Sequence, residues 1–204
     1  QKLPFYLHTH AGKAFAGMPN LFSAKRLSKS LFSPKSSRIL RVLLSDPPKR
    51  WHVEEIAQEA GISIGLASRV KQALLSEELI KEENKRFYLL KPNEALERWI
   101  KNYSYEKNSL FSFYSGLSEL QLEEAIKKEC NKRNYRYGLA LFSGARKIAP
   151  FVRFLKFFCY VDGDVKDIAN ALQLKKVESG ANVTILQPYD DGIFYGLQDI
   201  NGIK

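Results

Sequence analysis

The run Val53 to Gln72, VEEIAQEAGISIGLASRVKQ, restricts the fold more than any other stretch of the chain. Ile56 and Ala60 stand four apart, which places them on one face of a helix over Glu54 to Ala60. Gly61 follows at once, where a tight turn between crossing helices requires a left-handed backbone. Ile62 plugs that turn and Ser63 is the N-cap of a second helix, expected from Ile64 to Glu78. Its apolar set, Ala67, Val70 and Leu74, is spaced three and four apart and makes one stripe. Ala57 is small where the two helices approach, and Ser68, Arg69, Lys71 and Gln72 are left on flanking or exposed faces.

The flanks complete a recognisable unit. Ile39, Leu40, Val42, Leu43 and Leu44 recur at helical spacing from Ser37 until Asp46-Pro47-Pro48 stops the helix. Trp51-His52-Val53 is short and β-prone. After Leu79-Ile80 the run KEENKRFYLL reads as two β-prone stretches around a polar tip carrying Lys85 and Arg86. Helix, helix, turn, helix and hairpin describe a winged helix-turn-helix over residues 34–91, within an α+β or α/β chain that also holds a C-terminal domain. Such a unit presents its second helix to the major groove of duplex DNA. Arg69 suits guanine and Gln72 suits adenine. Ser63, Ser68 and Lys71 position the backbone, and Lys85 and Arg86 touch phosphate or enter the minor groove. Two plainer readings stand beside these, a helix-turn-helix that docks protein and a hairpin tip that is only a solvated turn.

Charge permits this partner without establishing it. The 32 basic and 22 acidic residues give +10 and a pI near 9.5. Residues 1–33 hold five bases and no acid, whereas residues 34–100 hold twelve bases against ten acids, a net of +2. The first 33 residues lack a period, begin with Gln, and read as the remnant of a further region. Ser23 to Ser37 reads either as a solvated linker or as a segment along a phosphate backbone. Cys130 and Cys159, 29 positions apart, show neither a disulfide framework nor zinc-ligand spacing. His8, His10 and His52 make no set. No run of roughly 18 to 20 apolar residues is present, so the chain reads as cytoplasmic, with no membrane partner, metal or cofactor expected.

Residues 92–116 read as a connecting helix and linker. Pro92 opens the helix, and its stripe Leu96, Trp99 and Ile100 either packs on the winged domain or joins two copies as a homodimer. Phe111-Ser112-Phe113-Tyr114 reads as sheet or core. Residues 117–204 form the C-terminal α/β domain with a mixed sheet. Its helix Ser118 to Arg133 opens with a capping box of Ser118 and Gln121, and a strand Tyr137 to Leu141 follows. A basic helix Ala145 to Val152, a strand Phe157 to Val161, a helix Val165 to Leu174, and strands near Val183 to Leu186 and Ile193 to Tyr195 complete it. Asp162-Gly163-Asp164 is either a metal-binding carboxylate pair of a nucleotidyltransferase-like enzyme or a polar turn in which Asp164 caps the next helix. The Gly-Ser turn expected upstream of such a pair is missing. Asp190-Asp191-Gly192 reads as a hairpin turn or a catalytic dyad. Arg146, Lys147, Arg153 and Lys156 are either a second basic surface or a solvated face.

The stretches LFSPKSSRILRVLL, WHVEEIAQEAGISIGLASRV, YGLALFSGARKIAPFVR and VESGANVTILQPYDDGIFYG resemble bacterial AbiEi-type antitoxins of type IV toxin-antitoxin systems. The likeness covers about Leu31 to Lys204. It implies an autorepressing transcriptional regulator that uses its winged domain on inverted repeats, with a C-terminal domain acting against a nucleotidyltransferase-like toxin. A Thr-Gly pair usual in similar proteins is replaced here by Leu141-Phe142, and the C-terminal domain reads as truncated. The alternative is a nucleotide-binding or nucleotidyltransferase-like enzyme built on the C-terminal domain. On the first reading the chain is not an enzyme.

Overall fold

The computed structural model describes residues 31–149 and 154–204. The chain divides into two compact units, Gln1–Tyr103 and Ser104–Lys204. Among the described residues there are seven α-helices, a two-stranded sheet and a mixed five-stranded sheet, an α+β arrangement.

The first unit begins with α1, Pro34–Ser45, which buries Ile39, Leu40, Val42 and Leu43. Its proline sits in the first turn, where the missing N–H costs nothing, and Asp46 leaves the helical region as a residue before proline must. Helix α2, Val53–Glu59, is capped by Glu55, whose carboxylate accepts the His52 backbone N–H at 2.9 Å. Gly61 has φ +60°, and Ile62 N–H closes the turn on Ala57 O at 3.0 Å. Helix α3, Ile64–Ser76, is capped by the Ser63 hydroxyl and buries Ala67, Val70, Ala73 and Leu74. It ends two residues short of the expected Glu78, because Glu78 turns left-handed (φ +53°) and Leu79 N–H returns to Leu74 O at 3.0 Å.

Strands β1, Ile80–Glu83, and β2, Arg86–Leu89, pair antiparallel with Glu83 opposite Arg86. Asn84 and Lys85 form a two-residue turn with φ +51° and +63°, the left-handed pair of a type I′ hairpin. Trp51 adds a short third element. Its N–H donates to Phe87 O at 2.8 Å and Phe87 N–H donates back at 2.9 Å. Helix α4, Pro92–Asn102, is part of this unit and not a connector. Ala95 is fully buried, Arg98 donates to Glu77 and Glu94 at 2.5 Å each, and the Arg41 guanidinium lies 5.0 Å over the Trp99 ring.

The strands of the second unit are β3 Ser109–Tyr114, β4 Arg136–Leu139, β5 Phe157–Asp162, β6 Lys175–Lys176 and β7 Val183–Gln187. Their sheet runs β4-β5-β7-β3-β6, with β5 and β7 parallel and the other neighbours antiparallel. Alternation along β5 divides the faces. Phe157, Cys159 and Val161 join the larger core with Leu122, Ile126 and Cys130 of α5 (Glu119–Lys132) and Ile168 and Ala169 of α7 (Val165–Ala171). Phe158 and Tyr160 face the smaller cluster with Ala140, Leu186 and Phe194. Since β3 lies between β7 and β6 in the sheet of the second unit, the expected linker 92–116 is divided between the units, its helix in one and its strand in the other.

Two expectations for this unit are corrected. The helix expected from Ala145 begins earlier, as α6, Leu141–Ile148, because the chain reverses sharply after β4 with Leu141 at φ +46°. Its residues 150–152 lie outside the described residues, as do residues 1–30 of the N-terminal segment. Ile193 to Tyr195 is not a strand. Asp190 accepts the Gly192 N–H at 2.8 Å and starts a 3₁₀ turn, Asp191–Phe194, whose Ile193 and Phe194 pack against the smaller cluster. No helix among the described residues is long and apolar enough to cross a membrane.

Gly144 permits the reversal into α6, since a Cβ there would stand 2.8 Å from Leu139 O and 3.2 Å from Leu139 C, both backbone atoms. Gly144→Ala is therefore expected to destabilise the protein by about 1–3 kcal/mol. Gly65→Ala, where nothing lies within 4 Å of the added methyl, should leave the midpoint unchanged or raised. Thermal unfolding followed by circular dichroism compares them, and equal melting points would remove the proposed constraint.

Candidate nucleic-acid interface

Helix α3 presents one exposed face made of Ser63, Ile64, Gly65, Ser68, Arg69, Gln72 and Ser76. The row 64, 68, 72, 76 repeats every four residues, and no carboxylate interrupts it. A base edge or phosphate could approach this face without like-charge repulsion. Beside it is a concavity of about 460 Å³ lined by Lys35, Gln58, Gly61, Ser63, Leu66 and Arg69. Lys35 comes from the first turn of α1, so tertiary folding sets it across the α2–α3 turn from Arg69. Neither cation takes part in an ion pair among the described residues. Of the expected contact residues on this helix, Ser63, Ser68, Arg69 and Gln72 are exposed, and the Ser63 hydroxyl also accepts the Leu66 N–H at 3.3 Å.

Lys71 departs from expectation. It is 8% exposed, its ammonium lies 2.5 Å from Glu82 Oε1 on β1, and it faces the Phe87 ring at 5.6 Å. Position 71 follows Ala67 by four and precedes Leu74 by three, so it forms the edge of the apolar stripe over which the hairpin closes. Its stem is packed and its charge neutralised locally. Lys71 therefore joins α3 to the hairpin and does not stand on the exposed face.

The hairpin tip divides in the same way. Lys85 is exposed and unpaired among the described residues, at the centre of the type I′ turn. Its carbonyl oxygen lies 3.1 Å from His52 Nδ1. A carbonyl can only accept, so Nδ1 carries the proton in this contact. Arg86, expected to meet phosphate, instead ties the turn end of the hairpin to Arg50 and Glu55. Its guanidinium donates to Arg50 O at 3.1 Å and to both Glu55 carboxylate oxygens at 3.3 and 3.4 Å. Arg50 donates to Glu83 at 2.7 Å and stacks 4.6 Å over Tyr88.

These contacts show in the carboxylates. Lys81, then Arg50, hold the Glu83 carboxyl down to about 2, and the His52 backbone N–H, helped by Arg86, holds Glu55 below the usual range. His52 and Lys35 are the two residues of this region that sequence reasoning missed. The one available signal was Glu55, three residues after His52, which reads as the far half of a capping box although histidine is an unusual cap.

In the second unit the aspartates are engaged structurally. Asp162 accepts from Arg136 Nε at 2.7 Å, and the same guanidinium reaches Asp191 at 2.6 Å. Asp164 accepts the Lys166 N–H at 2.8 Å and caps α7. Among the described residues no group of three or more His, Cys, Asp and Glu side chains is arranged to hold a metal ion. Arg146 is paired with Glu119, and Lys147 lies 2.7 Å from the buried Glu123, so two members of the expected basic surface are neutralised. Arg153 lies outside the described residues. Both thiols are free and buried, and burial pushes Cys130 up to about 12 and Cys159 higher still. No protein-family model, no characterised protein sequence and no solved structure matches this chain.

The depressed Glu83 gives stability a pH dependence of definite sign. The unfolded chain, with Glu83 near 4.5, binds more protons than the folded chain, with Glu83 near 2. The contribution is complete above about pH 5 and drains as pH falls toward 2. Glu83→Gln should flatten that part of the profile, measured as urea midpoint against pH for both proteins. Identical slopes would show that the Lys81 and Arg50 contacts are not formed. Burial of the thiols predicts that a disulfide reagent at pH 8 modifies neither cysteine until urea is added.

Proposed function

We propose that this protein is a sequence-specific DNA-binding transcriptional regulator in which residues 34–91 act as a winged helix-turn-helix. The carboxylate-free exposed row on α3, flanked by the unpaired Lys35 and Arg69, is the observation that carries this reading. Helix α3 enters the major groove, with Arg69 bidentate to guanine and Gln72 to adenine. Ser63 and Ser68 bond to phosphate. The wing is the hairpin β1–β2, and its reaching residue is Lys85. Lys71 and Arg86 serve by holding that hairpin in place, through Glu82 and Glu55. Residues 34–100 are nearly balanced in charge, so affinity comes from a few placed cations and not from a broad basic surface. The resemblance to AbiEi-type antitoxins extends the proposal: the regulator represses its own promoter, and the second unit acts against a nucleotidyltransferase-like toxin.

Gel-shift with the DNA upstream of the protein's own gene tests the reading. Arg69→Ala and Gln72→Ala should each weaken specific binding by about 1–3 kcal/mol and leave binding to unrelated duplex unchanged. If both variants bind like wild type, α3 is not the reading element. Lys85→Ala should lower the salt dependence of log K by about one phosphate contact. His52→Ala should do the same, because His52 positions the turn that carries Lys85. The double variant should lose no more than either single one. Additive losses would show that His52 acts elsewhere.

A further inference from the structure

The indole Nε1 of Trp51 is the one buried side-chain nitrogen or oxygen without a hydrogen-bond partner among the described residues. The residue is 4% exposed, and its backbone N–H and C=O are used in the two bonds with Phe87. An indole N–H can only donate, and a buried donor without an acceptor costs free energy. Such a group calls for an acceptor that binds. Trp51 also lines a concavity of about 620 Å³, together with Lys49, Arg50, Gln58, Glu59 and Arg86.

The walls of this concavity hold donors with capacity left. Lys49 is exposed and in no ion pair among the described residues, and its ammonium lies 3.8 Å from the centroid of the Trp51 ring. Arg50 donates to Glu83, and Arg86 donates to Arg50 O and Glu55. Each guanidinium has five N–H donors, so both arginines keep some. Glu55 is taken up by Arg86, and Glu59 is the lining carboxylate that opposes an anion.

We propose that this concavity binds a phosphate oxyanion, which accepts the Trp51 Nε1–H and pairs with Lys49. The donors come from separate side chains and not from one planar fork, which suits the tetrahedral oxygens of phosphate better than a flat carboxylate. Lys49 has a flexible stem, so its ammonium can turn from the ring to the anion without movement of the backbone. Phosphate of this kind has two sources, a nucleic-acid backbone or a free phosphate-bearing molecule. Gln58 lines both this concavity and the one that holds Lys35 and Arg69, so a backbone crossing α2 would meet the two in succession. The nucleic-acid source rests on the DNA reading, whereas binding of free phosphate does not.

The test follows the indole N–H resonances of the full chain labelled with nitrogen-15. The two tryptophans, Trp51 and Trp99, give separate signals that Trp99→Phe assigns. Inorganic phosphate is titrated at constant ionic strength against chloride. The Trp51 indole proton should shift downfield along a saturating curve, as a hydrogen bond to it forms, while Trp99 stays in place. Lys49→Gln should weaken the apparent affinity about tenfold, by removing a charged hydrogen-bond donor. Glu59→Gln should tighten it several-fold, by removing the opposing charge. Both positions are exposed, so the fold is retained. A short duplex of unrelated sequence is the second arm. A shift with duplex alone supports the site and assigns it to a nucleic-acid backbone, and a shift with phosphate alone supports it and assigns a free phosphate-bearing molecule. A Trp51 resonance that answers to neither, or one whose response survives Lys49→Gln unchanged, overturns the proposal. Failure here leaves the gel-shift expectations for α3 standing, and failure of those leaves the phosphate titration standing.

Discussion

The two backbone hydrogen bonds exchanged between Trp51 and Phe87 govern the arrangement of the first unit. They join the residue that leads into α2 to the middle of β2, so the hairpin cannot move without the helix. Around this link the side chains tie the same two elements again, His52 to the Lys85 carbonyl and Arg86 to Glu55. Phe87 is fully buried between them, and burying a side chain of that size contributes about 1.5–3 kcal/mol relative to leaving it exposed. The hairpin is too short to be stable alone in water and borrows its order from these contacts.

Several cations of the first unit are held in ion pairs within it. Lys71 with Glu82, Arg86 with Glu55, Arg50 with Glu83 and Arg98 with Glu77 each neutralise a cation that composition counts toward the +10. Most of these pairs are partly solvated, where an ion pair is worth little to stability. Their use is geometric: each fixes the angle of one element on another. The cations that remain without ion pairs in the first unit, Lys35, Arg69 and Lys85 among them, are accordingly the informative ones. Net charge does not say which cations stand outside ion pairs; local pairing decides that.

The helices were legible because their signals are local. Three- and four-residue spacing of apolar positions, a serine at the start of α3, the capping box of Ser118 and Gln121, and a glycine able to take φ +60° are each contained within a turn or two of chain. Of the residues expected on flanking or exposed faces of α3, Ser68, Arg69 and Gln72 are exposed, because exposure on a helix follows from angle. Lys71 is not, since it is near enough to the apolar stripe for a hairpin from further along the chain to cover it. Arg86 departs from expectation for the same reason, since its partners Arg50 and Glu55 are more than thirty residues away. In the second unit the failure at Ile193 to Tyr195 came from reading β-propensity where an aspartate cap and an adjacent apolar cluster favour a 3₁₀ turn.

The helix-Gly61-helix run by itself determines which residues start, cross and leave those two helices, because backbone sterics and side-chain period act within neighbouring residues. Only the tertiary structure decided which of the exposed candidates stay free. It set Lys35 on the same concavity as Arg69, withdrew Lys71 and Arg86 into ion pairs, gave His52 the turn that carries Lys85, and left Leu96, Glu97, Ile100 and Lys101 uncovered on α4. Whether a charge is paired depends on where distant segments come to rest, and that is settled by packing of the whole unit and not by spacing along the chain.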